Sequence, residues 1–126
     1  MPLLHAVVWI DHHHAEVVQF DAAQVLVRKV QAHDYETRQH GSAVRTEHEF
    51  FGEVCDELAD INEVLVTGSK TSLSDFRHYL EKHRPLLSKH IAGWEIVDHP
   101  SDGQLVAFAR KFFVNHDRMG STVAPK

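Results

Sequence analysis

The stretch "VVWIDHHHAEVVQF" (residues 7–20) sets an aspartate and three consecutive histidines between two apolar runs. Side chains of these types could do two kinds of chemistry. An aspartate at the end of a strand can help hold divalent metal for phosphodiester hydrolysis, provided that other carboxylates converge on it. Glu53, Asp56 or Glu57 on a first helix could supply one, and Asp98 and Asp102 near a last helix could supply more. The alternative catalytic set is then Asp11, Glu57, Asp98 and Asp102. One member is missing, because "VLVTG" ends the fourth strand with Thr67 where an acid is wanted. The second chemistry is a metal site on Asp11, His12 and His14. Consecutive residues in a turn point in different directions, however, and none of the twelve histidines forms an H-x3-H pair. The preferred reading is structural: Asp11 opens a hairpin turn through "DHHHA", and its carboxylate accepts from turn amides.

Two further motifs carry both a chemical and a structural reading. "VTGSKTS" (residues 66–72) has the look of the end of a phosphate-binding loop. It lacks the upstream glycine, and Ser69 stands where glycine precedes the lysine. Ordinary helix capping accounts for it, although Lys70 and the amides of a helix start could also hold one phosphate of RNA. In "DHPSDGQ" (residues 98–104), Pro100 fixes a turn, Ser101 caps a helix and Gln104 closes the capping box. His99 would hydrogen-bond the preceding strand. No nucleophile elbow occurs, so the reading assigns no catalytic residue, no bound metal and no cofactor.

The elements that must position these residues follow from periodicity. "LLHAVVWI", "AEVVQF" and "AQVLVRKV" (residues 23–30) are apolar, β-branched runs joined by short breaks, which predicts an antiparallel meander. Residues 31–48 hold almost no large apolar side chain and are expected to form a long exposed loop, mobile and used for contact. Thr46 and Glu49 read as a capping box, followed at helical spacing by Phe50, Val54, Leu58 and Ile61. "EVLVTG" is a short strand. "SLSDFRHYLEKHR" is a helix with Ser72 and Asp75 at its start, Leu73, Phe76 and Leu80 inward, and Pro85 ending it. "GWEIVDH" is a strand, and "DGQLVAFARKFF" is a helix with Leu105, Phe108, Ala109 and Phe112 facing inward. The order βββαβαβα implies an α/β fold. Its mixed five-stranded sheet has the fourth and fifth strands parallel to the first and helices on both faces, the arrangement of the ribonuclease H-like fold. One domain over residues 1–118 and a flexible tail over 119–126 are expected.

Composition narrows the classes. At 126 residues the chain is one domain with one real core. The single cysteine, Cys55, excludes an intrachain disulfide and falls near an apolar helix face, as an inert buried thiol would. The start lacks the basic and long apolar segments of a signal peptide, and no apolar run approaches ~18 residues, so a cytoplasmic protein with no membrane partner is expected. The formal net charge of -5 argues against a generally adhesive nucleic-acid binder. The charge is uneven, though. Residues 1–62 carry 4 basic against 11 acidic side chains, and residues 63–126 carry 9 against 7. A basic face in the second half could meet phosphates.

Three stretches carry a family resemblance: "HAVVWIDHHHAEVVQF", "EVLVTGSKTSLSDFRHYLEKHRP" and "VDHPSDGQLVAFARKFF". In this order they resemble the middle domain of the archaeal and eukaryotic peptide-chain release factors and of Pelota, the no-go-decay factor. They resemble still more the small single-domain bacterial translational machinery proteins, in which Asp98-His99-Pro100 and Asp102-Gly103-Gln104 recur as a unit. In the release factors the loop before the first helix carries Gly-Gly-Gln, which promotes peptidyl-tRNA hydrolysis. Here "RQHGSAVR" (residues 38–45) occupies that place, with Gln39-His40-Gly41 instead of the tripeptide. The resemblance therefore implies a translation-associated, non-enzymatic module without release activity. Its expected partner is the ribosome or structured RNA, met through Arg38, Gly41, Ser42, Arg45 and Lys70. A protein-interaction module, including a homodimer, is the remaining alternative.

Overall fold

The strand β1 (His5–Ile10) has no exposed face beyond its first residue, which is why "HAVVWI" reads as a nearly unbroken apolar run. It is the middle strand of five. The computed structural model describes residues 5–12, 14–21, 23–31, 42–98 and 100–123, the side chains of 42–47 and 115–123 excepted. The antiparallel partner of β1 is β2 (His14–Phe20), and β3 (Val25–Gln31) pairs antiparallel beyond it at the edge. On the other side of β1 lie β4 (Glu63–Gly68) and then β5 (Ile91–Ile96), both parallel to it. The strand order β3-β2-β1-β4-β5 makes one mixed sheet, as the sequence predicts.

Period-two alternation along the strands divides the core between the two faces. Ala6, Val8, Ile10, Val17, Val64 and Val66 meet α1 (Ser42–Glu57) and α2 (Lys70–His83). Val7, Trp9, Val18, Phe20 and Leu65 meet α4 (Asp102–Val123) on the opposite face. The inward residues of α1 recur as Phe50, Val54 and Leu58, all essentially fully buried. Cys55 is buried on the same helix, and desolvation pushes its thiol up to about 12, against the pull of Arg84. It is the buried thiol that its spacing predicts.

Several details differ from the sequence expectation. The backbone of α1 is helical from Ser42, so Thr46 is interior and cannot act as an N-cap. Of the expected loop at 31–48, Gln31 belongs to β3 and 42–48 to α1; residues 32–41 lie outside the described residues. The cap of α2 is Ser69, whose Oγ accepts from the Ser72 amide at 3.3 Å. Ser72 itself is buried one turn inside, with its hydroxyl bonded to Ser69. On α4, two stripes satisfy helical spacing. The sheet takes Leu105, Ala109 and Phe113, leaving Phe108 39% exposed and Phe112 half-buried. After α2, Pro85 opens a short helix, α3 (Pro85–Ser88), as a first-turn proline can. The backbone of α4 continues past residue 118 to Val123.

Candidate functional site

The chain leaves β1 toward β2 and β3, then returns to place β4 on the other flank of β1. The carboxyl ends of β1 and β4 therefore form a topological switch point, the place where open α/β sheets usually offer a ligand crevice. Here the crevice is closed. Gly68 ends β4 with φ of +150°, and a Cβ on it would stand 2.2 Å from the Ile10 carbonyl oxygen. Only glycine permits this approach. Thr67, just before it, is fully buried, and its hydroxyl donates to the Val8 carbonyl at 2.8 Å. Where metal-dependent hydrolysis would want an acid, the side chain joins β4 to β1.

The rim carries the polar groups. The Asp11 carboxylate accepts from the His14 amide at 2.6 Å, and the Asp11 amide donates to the His14 carbonyl at 2.9 Å. The turn reading of "DHHHA" is the one realised, though His13 lies outside the described residues. His14 Nδ1 stands 3.6 Å from the same carboxylate oxygen. His12 turns the other way, toward α2, with Nε2 3.4 Å from the Thr71 hydroxyl. Lys70 opens α2 and is exposed. Beyond β4, the Val97 amide donates to the Gly68 carbonyl, bringing the chain after β5 back to this end. Ser101 and Gln104 form the expected reciprocal box: Gln104 N donates to Ser101 Oγ at 3.2 Å, and Ser101 N donates to Gln104 Oε1 at 3.0 Å.

The four carboxylates of the alternative catalytic set do not gather at one point. Asp11, Asp98 and Asp102 share the carboxyl end of the sheet, but Asp98 follows β5, two strand spacings or roughly 10 Å from β1. Glu57 is at the far end. Its carbonyl accepts from Gln19, which pairs with Ala6 near the start of β1, five residues or roughly 16 Å from Asp11. Its carboxylate lies 3.6 Å from Arg28 of β3. Among the described residues, no group of three or more His, Cys, Asp or Glu converges as a metal-binding set, and this includes Asp11, His12 and His14. Of the RNA-contact candidates, Ser42 and Arg45 lie on the first turn of α1, some distance in sequence from Lys70. Arg38 and Gly41 fall outside the described residues.

One feature was not singled out from the sequence. The turn borders a cleft of about 450 Å³ lined by Trp9, Asp11, His14, Glu16, Lys29 and Gln31. Alternation would have found it, since Glu16 pairs with Trp9 across one ladder and with Lys29 across the next.

Comparison with known proteins bears on the fold. No family model matches the sequence, and no curated protein does. Solved structures do match. Pelota from Archaeoglobus fulgidus is 20% identical with a TM-score of 0.58, over 85% of this chain and 30% of its own. This chain has the fold of a Pelota domain. Pelota from Thermoplasma acidophilum gives 13% identity and a TM-score of 0.57, over 81% of this chain and 30% of its own. An archaeal translation termination factor gives 15% and 0.52, over 93% of this chain and 41% of its own. The chain thus spans about a third of the length of the structures it matches. Among the described residues, no helix is long and apolar enough to cross a membrane.

Proposed function

We propose that this chain is a non-enzymatic, translation-associated module of the cytoplasm that docks on the ribosome or on structured RNA. The observation that carries this reading is the shared fold: a Pelota domain and a domain of an archaeal translation termination factor follow the same path over most of the chain. Release activity is not expected, since Gln39-His40-Gly41 stands where the resembling release factors carry Gly-Gly-Gln. Contact is assigned to Arg38, Gly41, Ser42 and Arg45 before and at the start of α1, and to Lys70 at the start of α2. With so few cations, binding should be weak and salt-sensitive. Co-sedimentation with ribosomes tests the reading. Pelleting at low salt, lost as salt rises and weakened by Arg38→Glu with Arg45→Glu, is the expected result. Failure to pellet at any salt or nucleotide condition refutes it, and peptide release from peptidyl-tRNA would refute the non-enzymatic part.

A specific observation supports the second reading, a protein-interaction module. The edge strand β3 leaves Val25, Leu26 and Val27 exposed, where a strand edge is open to pairing. Light scattering that shows a dimer, together with no RNA shift, would favour it. The metal-dependent nuclease is the weakest of the three, because Thr67 and Glu57 do not supply acids beside Asp11.

A further inference from the structure

Away from the carboxyl ends of the strands, α1 and α2 bring two histidines together. His48 and His83 are both exposed, with ring centroids 5.3 Å apart and ring planes at 61°. Tyr79 completes the group, 5.4 Å from the His48 ring and 4.8 Å from the His83 ring. The helices beneath are held by packing that does not involve the histidines. Phe51, buried, meets Phe76 at 5.2 Å and Tyr79 at 5.4 Å. The Tyr79 hydroxyl lies beside Gly52, 3.4 Å from where a Cβ would stand. Arg84 reaches Asp56 at 3.2 Å. The two imidazoles are thus presented on a preformed helix pair.

We propose that His48 and His83 form a two-histidine site for a divalent late transition metal ion of the zinc or nickel class, with water filling the remaining positions. The pairing of two exposed imidazoles across adjacent helices carries the inference, and their separation leaves an ion within reach of both rings. An ion ~2.0–2.1 Å from an imidazole nitrogen lies ~3.2 Å from that ring's centroid, so two rings at the tetrahedral angle have centroids ~5.2 Å apart. The observed separation is 5.3 Å. Imidazole is the ligand that zinc, nickel and copper share, and calcium and magnesium disfavour. No third His, Cys, Asp or Glu among the described residues joins the pair, so the site is open and its ion exchangeable. An ion held there staples α1 to α2 and stabilises the native state by mass action.

The test titrates the full chain with zinc chloride or nickel chloride alone, following thermal unfolding, and maps the site by amide line-broadening with trace copper(II). The expected result is a rise of a few degrees in Tm at saturating ion. Broadening should be centred on residues 48–52 and 79–84. His48→Ala and His83→Ala should each abolish both effects, whereas the triple variant His12→Ala, His13→Ala, His14→Ala should keep them. Should an alanine variant lower the metal-free Tm, His48→Gln and His83→Gln replace it, since both sites are exposed. The proposal is overturned if the wild type shows neither effect, if both persist without His48 and His83, or if they vanish with the turn histidines.

Discussion

Replacing Gly68 with alanine should cost more stability than any other single methyl group added to the sheet. The added Cβ would lie 2.2 Å from the Ile10 carbonyl oxygen and 3.3 Å from its carbon, so backbone rather than a flexible side chain must yield. The φ of +150° adds strain of ~1–3 kcal/mol for any residue with a side chain. Separating β4 from β1 at this point endangers the Ile10–Gly68 end of the ladder and the bond from Val97 N to Gly68 O. Each lost hydrogen bond costs ~1 kcal/mol. The total is ~3–5 kcal/mol out of a typical 5–15 kcal/mol, or roughly 10–20 °C in Tm for a domain of this size. Thermal and urea unfolding followed by circular dichroism would measure it. Gly103→Ala is the matched control: nothing lies within 4 Å of its Cβ, and it sits in the first turn of α4. A helical glycine replaced by alanine without contact should gain roughly 0.5 kcal/mol. A loss below ~1 kcal/mol for Gly68→Ala would refute the closed crevice between β1 and β4.

Other expectations follow from single contacts. Ser101→Ala removes the hydroxyl that receives the Gln104 amide and should destabilise by ~1 kcal/mol in urea, with Ser101→Asp restoring most of the loss. Thr67→Val keeps the shape but deletes the buried bond to the Val8 carbonyl, for a cost of ~0.5–1.5 kcal/mol by the same assay. Cys55, with its thiol pushed up to about 12 by burial, should resist a disulfide reagent at pH 8 in the native state and react at the rate of unfolding when urea is added. Rapid labelling of the native protein would contradict the packing of α1. Gly93→Ala drives a methyl to 2.6 Å from the Phe112 ring, so Phe112 must swing outward, at a cost of ~1–2 kcal/mol in the same unfolding assay.

How far the sequence was legible depended on whether a signal was local or tertiary. The strands β1, β2 and β4 were plain because burial on both faces or one face writes apolar runs and alternation directly into sequence. The box at Ser101 and Gln104 was plain because both partners lie within one turn. The start of α1 was not. Thr46 and Glu49 satisfy a capping pattern that is equally compatible with a helix interior, and the first turn from Ser42 carries little large apolar side chain to mark it. The α2 cap falls one turn before the position that the sequence suggests, because "SKTSLSD" offers a serine or threonine at several adjacent positions and only the burial of Ser72 decides among them. Period alone points Phe108 inward because two stripes of α4 satisfy it; the sheet takes Leu105, Ala109 and Phe113, while Phe112 lies over Gly93 of β5. His48 and His83 are 35 positions apart on different helices, so no spacing rule could have paired them.

Position 67 bears most directly on what the candidate site can do. A nuclease of the kind considered needs a carboxylate beside Asp11 at the carboxyl end of β4, because the metal ions must lie between strands. Thr67 is the residue in register with Trp9, two positions before Asp11, and its side chain is fully buried with its hydroxyl on Val8. A carboxylate there would enter an apolar layer and would need a compensating charge, which Val8, Trp9 and Val66 cannot supply. Thr67→Asp should therefore unfold the protein or lower Tm by well over 10 °C, and should not create a metal site. If instead the variant folded with wild-type Tm and gained manganese binding near Asp11, the crevice would be looser than its Gly68–Ile10 contact implies. Among the described residues, the polar groups at this end of the sheet stand on its rims: the turn at Asp11 and His12, the start of α2 at Thr71 and Lys70, and the cleft beneath Trp9. If the chain docks as proposed, those rims are its contact surfaces: they offer hydrogen bonds and charge without, among the described residues, the converging carboxylates that metal-dependent hydrolysis needs.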